Sequence, residues 1–463
     1  MRKQSCVIGA EQRLRGENCA SKVMSFDDIY VGDMMKKALA TLLMVAAGAF
    51  LTACGGGSSS ADKAQIRFVH VSPGTDNINL TFDGSSAATS LKYHDATGYQ
   101  NVTTGSPEFK VTSATTGATL VDTTVTLSAS THYTFFVYGG GSTVSAASLN
   151  DDVSDASSGK FQMRLSHSAT GIGSLDVYLL AAGSKIQDNT PAYSAMGYAA
   201  NTGFIEYSKG DYSIVLAPAG TKEVIYDSGK QTFSENAKVT LLIYATGSGK
   251  LANVALMLDD GSGTTTFLDS LYSRFKFVNA AVDLHTADVL IDGIVTLANI
   301  PYGGLSSYGS ISAGPRNVKI QASSAPGAYL YDQSQTLSAA YDYSLVAYSV
   351  AGTAAVNLFA LQDNNLPPAS GKAKLRVVNA GSDTTIYDAY VNYSKFLPAI
   401  GPATGSSYQE LDSGTYVLGF AATGTTTQAT TLAGQELDAA HIYTVYVYGR
   451  SGGAAAAVLV RDY

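Results

Sequence analysis

The chain has 463 residues, of which 14% are charged and 45% hydrophobic, with 46 Gly, 29 Tyr and no Trp. This composition excludes an intrinsically disordered protein and a coiled coil, because the hydrophobic share is ordinary and Glu, Lys and Arg are scarce. The net charge of −8 argues against a nucleic-acid-binding protein, which needs a basic surface. The three cysteines are Cys6, Cys19 and Cys54, so the chain beyond residue 54 cannot be held by disulfides.

The first element is an uncharged run, ALATLLMVAAGAFL, at residues 38–51. It is too short to span a bilayer, which needs about 20 apolar residues. Two lysines precede the run and small residues follow it, which predicts a secretory signal peptide over residues 34–53. The exit, Leu51-Thr52-Ala53-Cys54, resembles the lipobox of bacterial lipoproteins. This resemblance implies cleavage before Cys54, a diacylglycerol on its thiol and an acylated amino terminus (palmitate), which together give stable membrane anchoring.

The segments on either side of the signal peptide have different compositions. Residues 1–33 contain three aspartates that fit no signal peptide, so we expect a misassigned start, with translation beginning at Met34 or Met35. Residues 54–64 comprise the lipidated cysteine and a flexible Gly/Ser tether. Gly55, rather than Asp, follows the cysteine, which in lipoproteins of Gram-negative bacteria favours the outer membrane. We therefore expect a lipid-anchored protein of the bacterial cell envelope, on the periplasmic face or the cell surface of that membrane.

The remainder of the chain repeats one unit four times. Each copy opens with a strand of alternating apolar and basic residues, and this alternation predicts a half-buried strand. The strand ends in His70, His167, Asn279 and Asn379 in the four copies. The basic residue three positions earlier is Arg67, Arg164, Lys276 and Arg376. Nine positions after the His or Asn, a second strand opens with Asn79, Asp176, Asp288 and Asp388.

Later landmarks in each copy keep equally regular spacings. An aromatic residue stands six positions before a glycine in the pairs Tyr99 and Gly105, Phe204 and Gly210, Tyr308 and Gly314, and Tyr408 and Gly414. An almost wholly apolar segment then ends in Tyr138, Tyr244, Tyr348 and Tyr448. Such segments predict central strands that are buried on both faces. A last strand closes each copy near Asp151, Asp259, Asp363 and Asp462.

These patterns predict an all-β protein of four tandem Ig-like or transthyretin-like β-sandwich domains. About a hundred residues and about seven short strands, separated by Gly, Asn, Asp and Ser turns, suit one sandwich with its own core. The predicted domains are residues 65–155, 160–262, 272–366 and 372–463, after a leader at residues 1–53. Their arrangement relative to one another does not follow from the sequence.

One known family shares these features. The segment Arg67 to Pro73, RFVHVSP, with Asp83-Gly84 and residues 125–139, resembles bacterial domain-of-unknown-function family 4397. The resemblance implies a secreted or lipid-anchored, often repeated domain with no established activity or catalytic residues. It is most complete in the first copy, because the third and fourth copies have Asn in place of the His and lack the following proline.

Catalytic signatures are scarce. The string Gly449-Arg450-Ser451-Gly452-Gly453 fits a nucleophile elbow, but that motif requires a strand-to-helix turn, and a hairpin loop is expected here. The strand-ending histidines are replaced by Asn in two copies, and Asn cannot act as a general base. A side chain that satisfies a turn is therefore favoured at this position, with ligand binding as the alternative. We predict no catalytic residue, metal or cofactor.

Two further groups of residues invite a binding interpretation. Asn150, Asp151, Asp152 and Asp155, with Asp259 and Asp260, supply oxygens suited to calcium but lack the spacing of a calcium loop, so solvated turn-forming linkers are favoured. The four strand-ending tyrosines suggest sugar stacking, but buried tyrosines with hydrogen-bonded hydroxyls are favoured.

The expected function is a non-catalytic envelope protein that serves as a binding, adhesion or spacer module. Its expected partners are the membrane, through lipid on Cys54, and an envelope protein or glycan. A carbohydrate- or cell-wall-binding module is the alternative. An unrecognised hydrolase, with Ser451 or His70 as nominal candidates, is the third hypothesis.

Overall fold

The computed structural model describes residues 63–140, 143–246, 251–282, 284–350, 353, 355–449 and 455–462. The leader, Cys54 and Ser451 lie outside the described residues. Within them the protein is all-β, as predicted, and the one helical element is a short 3₁₀ turn at Ile186–Asp188. No helix in this described part is long and apolar enough to cross a bilayer.

The strands of the first repeat are β1 (Lys63–His70), β2 (Ile78–Phe82), β3 (Ser85–Leu91), β4 (Asp95–Ala96), β5 (Gln100–Thr103), β6 (Glu108–Ser113), β7 (Thr119–Thr124), β8 (His132–Gly140) and β9 (Thr143–Asn150). Those of the second are β10 (Lys160–His167), β11 (Leu175–Ala181), β12 (Tyr193–Met196), β13 (Ile205–Ser208), β14 (Gly210–Pro218), β15 (Tyr226–Phe233), β16 (Lys238–Ala245), β17 (Ala252–Leu258) and β18 (Thr265–Leu268).

The strands of the third repeat are β19 (Tyr272–Ala280), β20 (Thr286–Ile291), β21 (Ile294–Pro301), β22 (Gly309–Ser312), β23 (Gly314–Ala322), β24 (Tyr329–Leu337), β25 (Asp342–Ser349) and β26 (Val356–Asp363). Those of the fourth are β27 (Lys372–Ala380), β28 (Tyr387–Val391), β29 (Ser394–Ile400), β30 (Thr404–Gly405), β31 (Gln409–Asp412), β32 (Gly414–Ala422), β33 (Gln428–Leu437), β34 (Ile442–Tyr448) and β35 (Ala456–Arg461).

Each repeat consists of two sheets, which we name inner and outer. The inner sheets have the orders β4-β1-β8-β9 with β5 also on β1, β13-β10-β16-β17-β18, β22-β19-β25-β26, and β30-β27-β34-β35 with β31 also on β27. The outer sheets have the orders β3-β2-β6-β7, β12-β11-β14-β15, β21-β20-β23-β24 and β29-β28-β32-β33. In every inner sheet the first strand of the repeat pairs in parallel with the central apolar strand. That strand ends in, or just past, Tyr138, Tyr244, Tyr348 or Tyr448.

The core of each repeat lies between its two sheets. In the first repeat Phe68 and Phe135 of the inner sheet meet Phe82 and Phe109 of the outer sheet, with ring centroids 5.0–6.2 Å apart. The other three repeats enclose equivalent buried clusters. Each repeat therefore buries its own apolar residues between two sheets.

The inner sheets are also covered on their second face, because the repeats associate in pairs. Val69 and Phe136 of the first repeat pack with Leu242 and Met257 of the second. In the same way, the third and fourth repeats enclose a shared cluster that includes Val278, Val346, Val378 and Tyr446. The prediction of central strands buried on both faces is confirmed.

The prediction that the first strand of each repeat is half-buried is wrong. Its basic residues are almost completely buried, with exposed fractions of 0% for Arg67, 4% for Arg164, and 2% for Lys276 and Arg376. The alternation in the sequence separates two buried environments, the core of the repeat and the interface with its partner repeat, and not a core from solvent.

The Asn or Asp that opens the second strand stabilises a bulge at the edge of the outer sheet. In each repeat its side chain accepts a hydrogen bond of 2.8–2.9 Å from the amide of a residue with positive φ on the neighbouring edge strand. These bonds join Asn79 to Ser90, Asp176 to Ala195, Asp288 to Asn299 and Asp388 to Ala399. Such bulges disturb the edge strand and so oppose pairing with another chain.

Candidate functional site

Buried charges lie at the interface between repeats 1 and 2. Arg67 of the first repeat forms an ion pair with Asp259 of the second, while Arg164 of the second binds Asp151 of the first at 2.8 Å. The remaining distances across the group are 3.6 Å from Arg67 to Asp151 and 3.8 Å from Arg164 to Asp259. Two guanidinium groups and two carboxylates thus form a closed, electrically neutral ring.

Repeats 3 and 4 reproduce this reciprocal arrangement. Lys276 of the third repeat forms an ion pair with Asp462 of the fourth, and Arg376 of the fourth binds Asp363 of the third at 2.7 Å. The four charged side chains are at most 3% exposed. In each pair of repeats, both members therefore contribute one basic residue and one aspartate to the interface.

Uncharged side chains complete the hydrogen bonding of each aspartate. A hydroxyl from the central apolar strand of the same repeat donates to it, at 2.6–2.9 Å, from Thr134, Thr240, Ser344 and Thr444. The aromatic residue that stands six positions before a glycine is a tyrosine in three repeats. The hydroxyls of these residues, Tyr99, Tyr308 and Tyr408, also donate to the aspartate. The second repeat has Phe204 at this position, so Asp259 lacks that donor. The ring of Phe204 instead lies 4.6 Å from the guanidinium carbon of Arg164.

This difference changes the electrostatics of the two interfaces. Burial, followed by the neighbouring Asp151, raises the pKa of Asp259 to about 6, against the opposing effect of Arg67 and Arg164. Burial acts to raise the pKa of Asp363 as well. There, however, Arg376, Lys276 and the Tyr308 hydroxyl outweigh burial and hold the pKa below its ordinary value. Because a carboxylate is stabilised by each donor directed at it, the missing tyrosine hydroxyl is consistent with the contrast.

The aspartates considered for calcium have other roles. Asp151 and Asp259 are buried with Arg67 and Arg164, so the expectation that they lie in solvated linkers is wrong. Their neighbours Asp152 and Asp260 are exposed; Asp152 accepts a hydrogen bond from the His132 amide, and Asp260 accepts one from the Ser262 amide within a turn. No group of three or more acidic, His or Cys side chains suited to a metal occurs among the described residues.

The strand-ending His and Asn side chains close the following turn. The Nε2 of His70 donates to the Asp76 carbonyl at 3.2 Å, and its Nδ1 accepts from the Ser72 amide at 3.4 Å. In His167 the same two nitrogens bond to the Gly173 carbonyl and the Ala169 amide. Burial lowers the pKa of both histidines, which favours the neutral ring that this bonding requires.

Asparagine makes the same two contacts, and one more to a second carbonyl, in the other two repeats. The Asn279 amide nitrogen donates to the Leu284 and Ile300 carbonyls, and its oxygen accepts from the Ala281 amide. Asn379 repeats this pattern with Thr385, Ile400 and Gly381. All four side chains are at most 1% exposed, so their polar atoms face the turn and not solvent.

The four strand-ending tyrosines lie on the faces where repeats pair. Tyr138 contacts Tyr198, Tyr244 contacts Tyr93, and Tyr448 contacts Tyr302, in each case across the interface with ring centroids 5.3–6.5 Å apart. Tyr348 contacts Phe359 of its own repeat at 5.6 Å. Their rings therefore contribute to packing at the interfaces.

Comparison with known proteins gives a family assignment. The family model "Domain of unknown function (DUF4397)" matches residues 64–178, 273–385 and 374–463, which together exceed half of the chain. The chain belongs to the DUF4397 family. Its three matched segments are consistent with tandem DUF4397 repeats, as the sequence predicts.

Other comparisons of this DUF4397 protein give little more. No curated protein matches it significantly. The TIE protein of Bacillus anthracis is similar over 92% of this chain and 80% of that protein, with 10% identity and a TM-score of 0.15. A product complex of the multi-modular glycogen-degrading pneumococcal virulence factor SpuA is similar over 80% and 37%, with the same identity and score. At this TM-score neither likeness supports an argument about fold or function.

Sequence reasoning did not identify the interfaces of the DUF4397 repeats as a site. The relevant signal was present, because a basic residue and a closing aspartate recur at regular positions in all four copies. Each of these residues, however, finds its ion-pair partner in another repeat. Whether the partner is 13 positions away, as for Arg164 and Asp151, or 192, as for Arg67 and Asp259, the contact depends on the packing of whole domains.

Proposed function

We propose that the chain is a non-catalytic, lipid-anchored protein of the bacterial cell envelope whose DUF4397 repeats serve as a spacer or presentation module for binding or adhesion. The observation that carries this proposal is the pair of reciprocal, buried ion-pair clusters. A module that holds a binding surface at a distance needs repeats that keep their relative orientation. Separating a pair would expose the apolar residues of the interface to water and break its ion pairs, so each pair acts as one unit.

The proposed location rests on the sequence around Cys54. Metabolic labelling with a palmitate analogue, comparing the natural chain with Cys54→Ala, tests it. We expect label and membrane association in the natural chain and neither in the variant. Label that persists in Cys54→Ala would exclude the lipoprotein assignment without bearing on the repeats.

The proposed rigidity of each pair can be tested by distance measurement. Ser86 and Lys185 are exposed positions in repeats 1 and 2, and cysteines placed there accept spin labels. With Cys54 replaced, we expect a narrow distribution of distances between the labels. Arg67→Met in the same background should broaden it, and a distribution equally broad in both proteins would contradict a spacer role.

A carbohydrate- or cell-wall-binding module is the second candidate, and one residue favours it. Tyr393 lies at the tip of the β28–β29 hairpin, is 75% exposed and has a φ of +66°. The equivalent positions in repeats 1 and 3 are Gly84 and Gly293, which adopt this backbone conformation without strain. An exposed aromatic ring that is kept at a position of strained backbone suits stacking on a sugar.

Retention on insoluble peptidoglycan and envelope polysaccharides tests this second function. We expect the natural chain to be retained and Tyr393→Gly, which suits the turn, to lose retention while remaining folded. Lack of retention of the natural chain on every glycan would exclude it and leave the spacer proposal intact.

A further inference from the structure

A cleft of about 760 Å³ lies beside the junction of repeats 3 and 4. It is formed by the end of β26, the linker that follows, the beginning of β27 and residues 405–410, and Gly74 of the first repeat also lines it. Lys374, Arg376 and Glu410 line it, together with Gln362, Ser407 and Tyr408. The ion pairs between the repeats account for Arg376 but not for Lys374.

Lys374 is a buried ammonium group without a bound carboxylate. It is 6% exposed, and its Nζ donates to the Asn364 carbonyl and Oδ1, both at 3.0 Å, and to the Leu366 carbonyl at 2.8 Å. These three acceptors are neutral. Among the described residues, no carboxylate oxygen lies within ion-pair distance of this nitrogen.

The corresponding residue of the third repeat shows what is missing. Arg274 occupies the position of Lys374 and binds Asp342 through two hydrogen bonds of 2.9 and 2.7 Å. Asp342 is its neighbour in the parallel pairing of β19 and β25. In the fourth repeat the paired residue is Ile442. The basic residue is therefore retained while its carboxylate is replaced by an apolar side chain.

The surroundings of Lys374 do not compensate its charge. Burial lowers the pKa of Lys374 to about 8, although Glu410 acts in the opposite direction. Tyr408 presents its ring 5.3 Å from the Nζ, and Ile442 on β34 is apolar. Arg376 adds positive charge, which Asp363 already balances.

We propose that this cleft binds an oxyanion, a carboxylate or a phosphate group, that supplies the counter-charge for Lys374. An entering anion gains attraction to a poorly solvated cation and displaces no carboxylate. Arg376 offers a second donor, because its Nη1 makes only a long bond of 3.4 Å to the Gln362 carbonyl. The volume also accommodates an anion carried on a sugar, so free phosphate and an acidic sugar are two sources of the same chemistry.

The pairing of repeats 1 and 2 does not provide this site. The residues that correspond to Lys374 are Gln65 and Gln162, which carry no charge. The turn at Gly263 of repeat 2 also packs directly against Tyr99 of repeat 1, since a Cβ at this glycine would lie 2.9 Å from the Tyr99 ring. This turn leaves no room for a cleft beside Tyr99. The proposed site therefore belongs to repeats 3 and 4.

Calorimetric titration of the full chain in detergent, at constant ionic strength, tests the proposal with sodium phosphate and with digalacturonate as probes. We expect binding of at least one probe at pH 6.5 and weaker binding at pH 9.5, where Lys374 loses its proton. Lys374→Gln should weaken binding about tenfold, because the three Nζ hydrogens of Lys374 are already donated and the anion loses the attraction of its charge. Lys372→Gln is the matched control, because Lys372 pairs with Asp412 on the surface.

A second variant separates loss of the site from loss of folding. Ile442→Asp supplies the internal carboxylate found at Asp342, so it should abolish anion binding while Lys374 remains charged. Tighter binding of digalacturonate than of phosphate would identify an acidic sugar, and equal binding a free anion. Binding of neither probe, or binding that is unchanged in both Lys374→Gln and Ile442→Asp, would overturn the proposal.

Discussion

Arg67 in the first strand of repeat 1 forms a buried ion pair with Asp259 at the end of repeat 2, 192 positions further along the chain. Its guanidinium also donates to the Leu258 carbonyl at 2.7 Å and to the Thr134 hydroxyl, also at 2.7 Å. One side chain thus joins the central strand of its own repeat to the closing strand of the next. The reciprocal bond from Arg164 to Asp151 makes the connection symmetric.

Asp151→Asn should strongly destabilise repeats 1 and 2, because it leaves Arg164 buried without its counter-charge. Removing one partner of a buried ion pair costs about 3–5 kcal/mol of unfolding free energy. Urea unfolding followed by circular dichroism measures this loss. Lys230→Met is the matched control, since its pair with Asp211 is exposed and such pairs contribute about 1 kcal/mol or less. Equal effects of the two substitutions would contradict a structural role for the buried cluster.

Phe204→Tyr should lower the pKa of Asp259 by providing the hydroxyl donor that three repeats already have. In the natural chain the raised pKa means that the folded state binds this proton more tightly than the unfolded chain. The contribution is therefore fully present below the ordinary carboxyl pKa of about 4 and is lost as the pH rises through about 6. We expect this pH dependence of the unfolding free energy to flatten in Phe204→Tyr. A protonated carboxyl band in the infrared spectrum near pH 5, present in the natural chain and lost in the variant, provides a direct check.

His70→Asn combined with His167→Asn should keep the fold and remove an acid sensitivity. Burial lowers the pKa of both histidines, so each contributes stability that is complete above about pH 6.5 and declines as the pH falls through this value. Asn279 and Asn379 perform the same bonding without titrating. The measurement is the difference in unfolding free energy between natural chain and double variant at pH 8 and pH 5, because Asp259 acts in the opposite direction in both proteins. A difference that does not change with pH would refute the prediction.

Replacing His70 with Leu tests whether the hydrogen bonds of this side chain stabilise the turn. Leucine leaves the Asp76 carbonyl and the buried Ser72 amide without their His70 partners, and an unsatisfied buried group costs about 1–3 kcal/mol. We expect His70→Leu to lose that much unfolding free energy while His70→Asn loses less than about 1 kcal/mol. Equal losses in the two variants would show that volume, and not hydrogen bonding, matters at this position.

Tyr393→Gly should stabilise the fourth repeat. The φ of +66° costs a residue with a side chain about 1 kcal/mol relative to glycine, and the exposed ring gains little from packing. The converse change, Gly293→Tyr, places the same strain in repeat 3, where φ is +84°, and should destabilise it by a similar amount. Thermal unfolding of the two variants beside the natural chain measures both effects, and shifts in the same direction would be incompatible with this explanation.

The sequence permits prediction of the repeats, the all-β fold and the strands buried on both faces, because all three depend on local alternation and spacing. Tyr138 and its counterparts end apolar segments that do form the central strands. Arg67 and its counterparts were expected on a solvent face, because an alternation of basic and apolar residues ordinarily marks one. Their burial depends on a second domain, whose position no local pattern encodes.

The closing aspartates show the same limit. Asp151 lies among polar residues at a domain joint, where a solvated turn is the natural expectation, yet its carboxylate lies between two guanidinium groups. Asp363 and Asp462 hold the equivalent position in repeats 3 and 4. Asp363 pairs with Arg376, and Asp462 pairs with Lys276. The partners are chosen by which inner sheets meet, and that choice involves the whole surface of two repeats.

By itself, the sequence determines that this protein is a tandem array of β-sandwich domains, since period-two alternation and turn residues act within a few positions of one another. Only the tertiary structure decides that repeat 1 pairs with repeat 2 and repeat 3 with repeat 4, that their basic strands are buried, and that none of the described carboxylates pairs with Lys374. These properties arise from contacts between different repeats, whose ion-paired residues lie from 13 to 192 positions apart in the chain. Their free energy depends on burial and charge that exist only after the domains have packed.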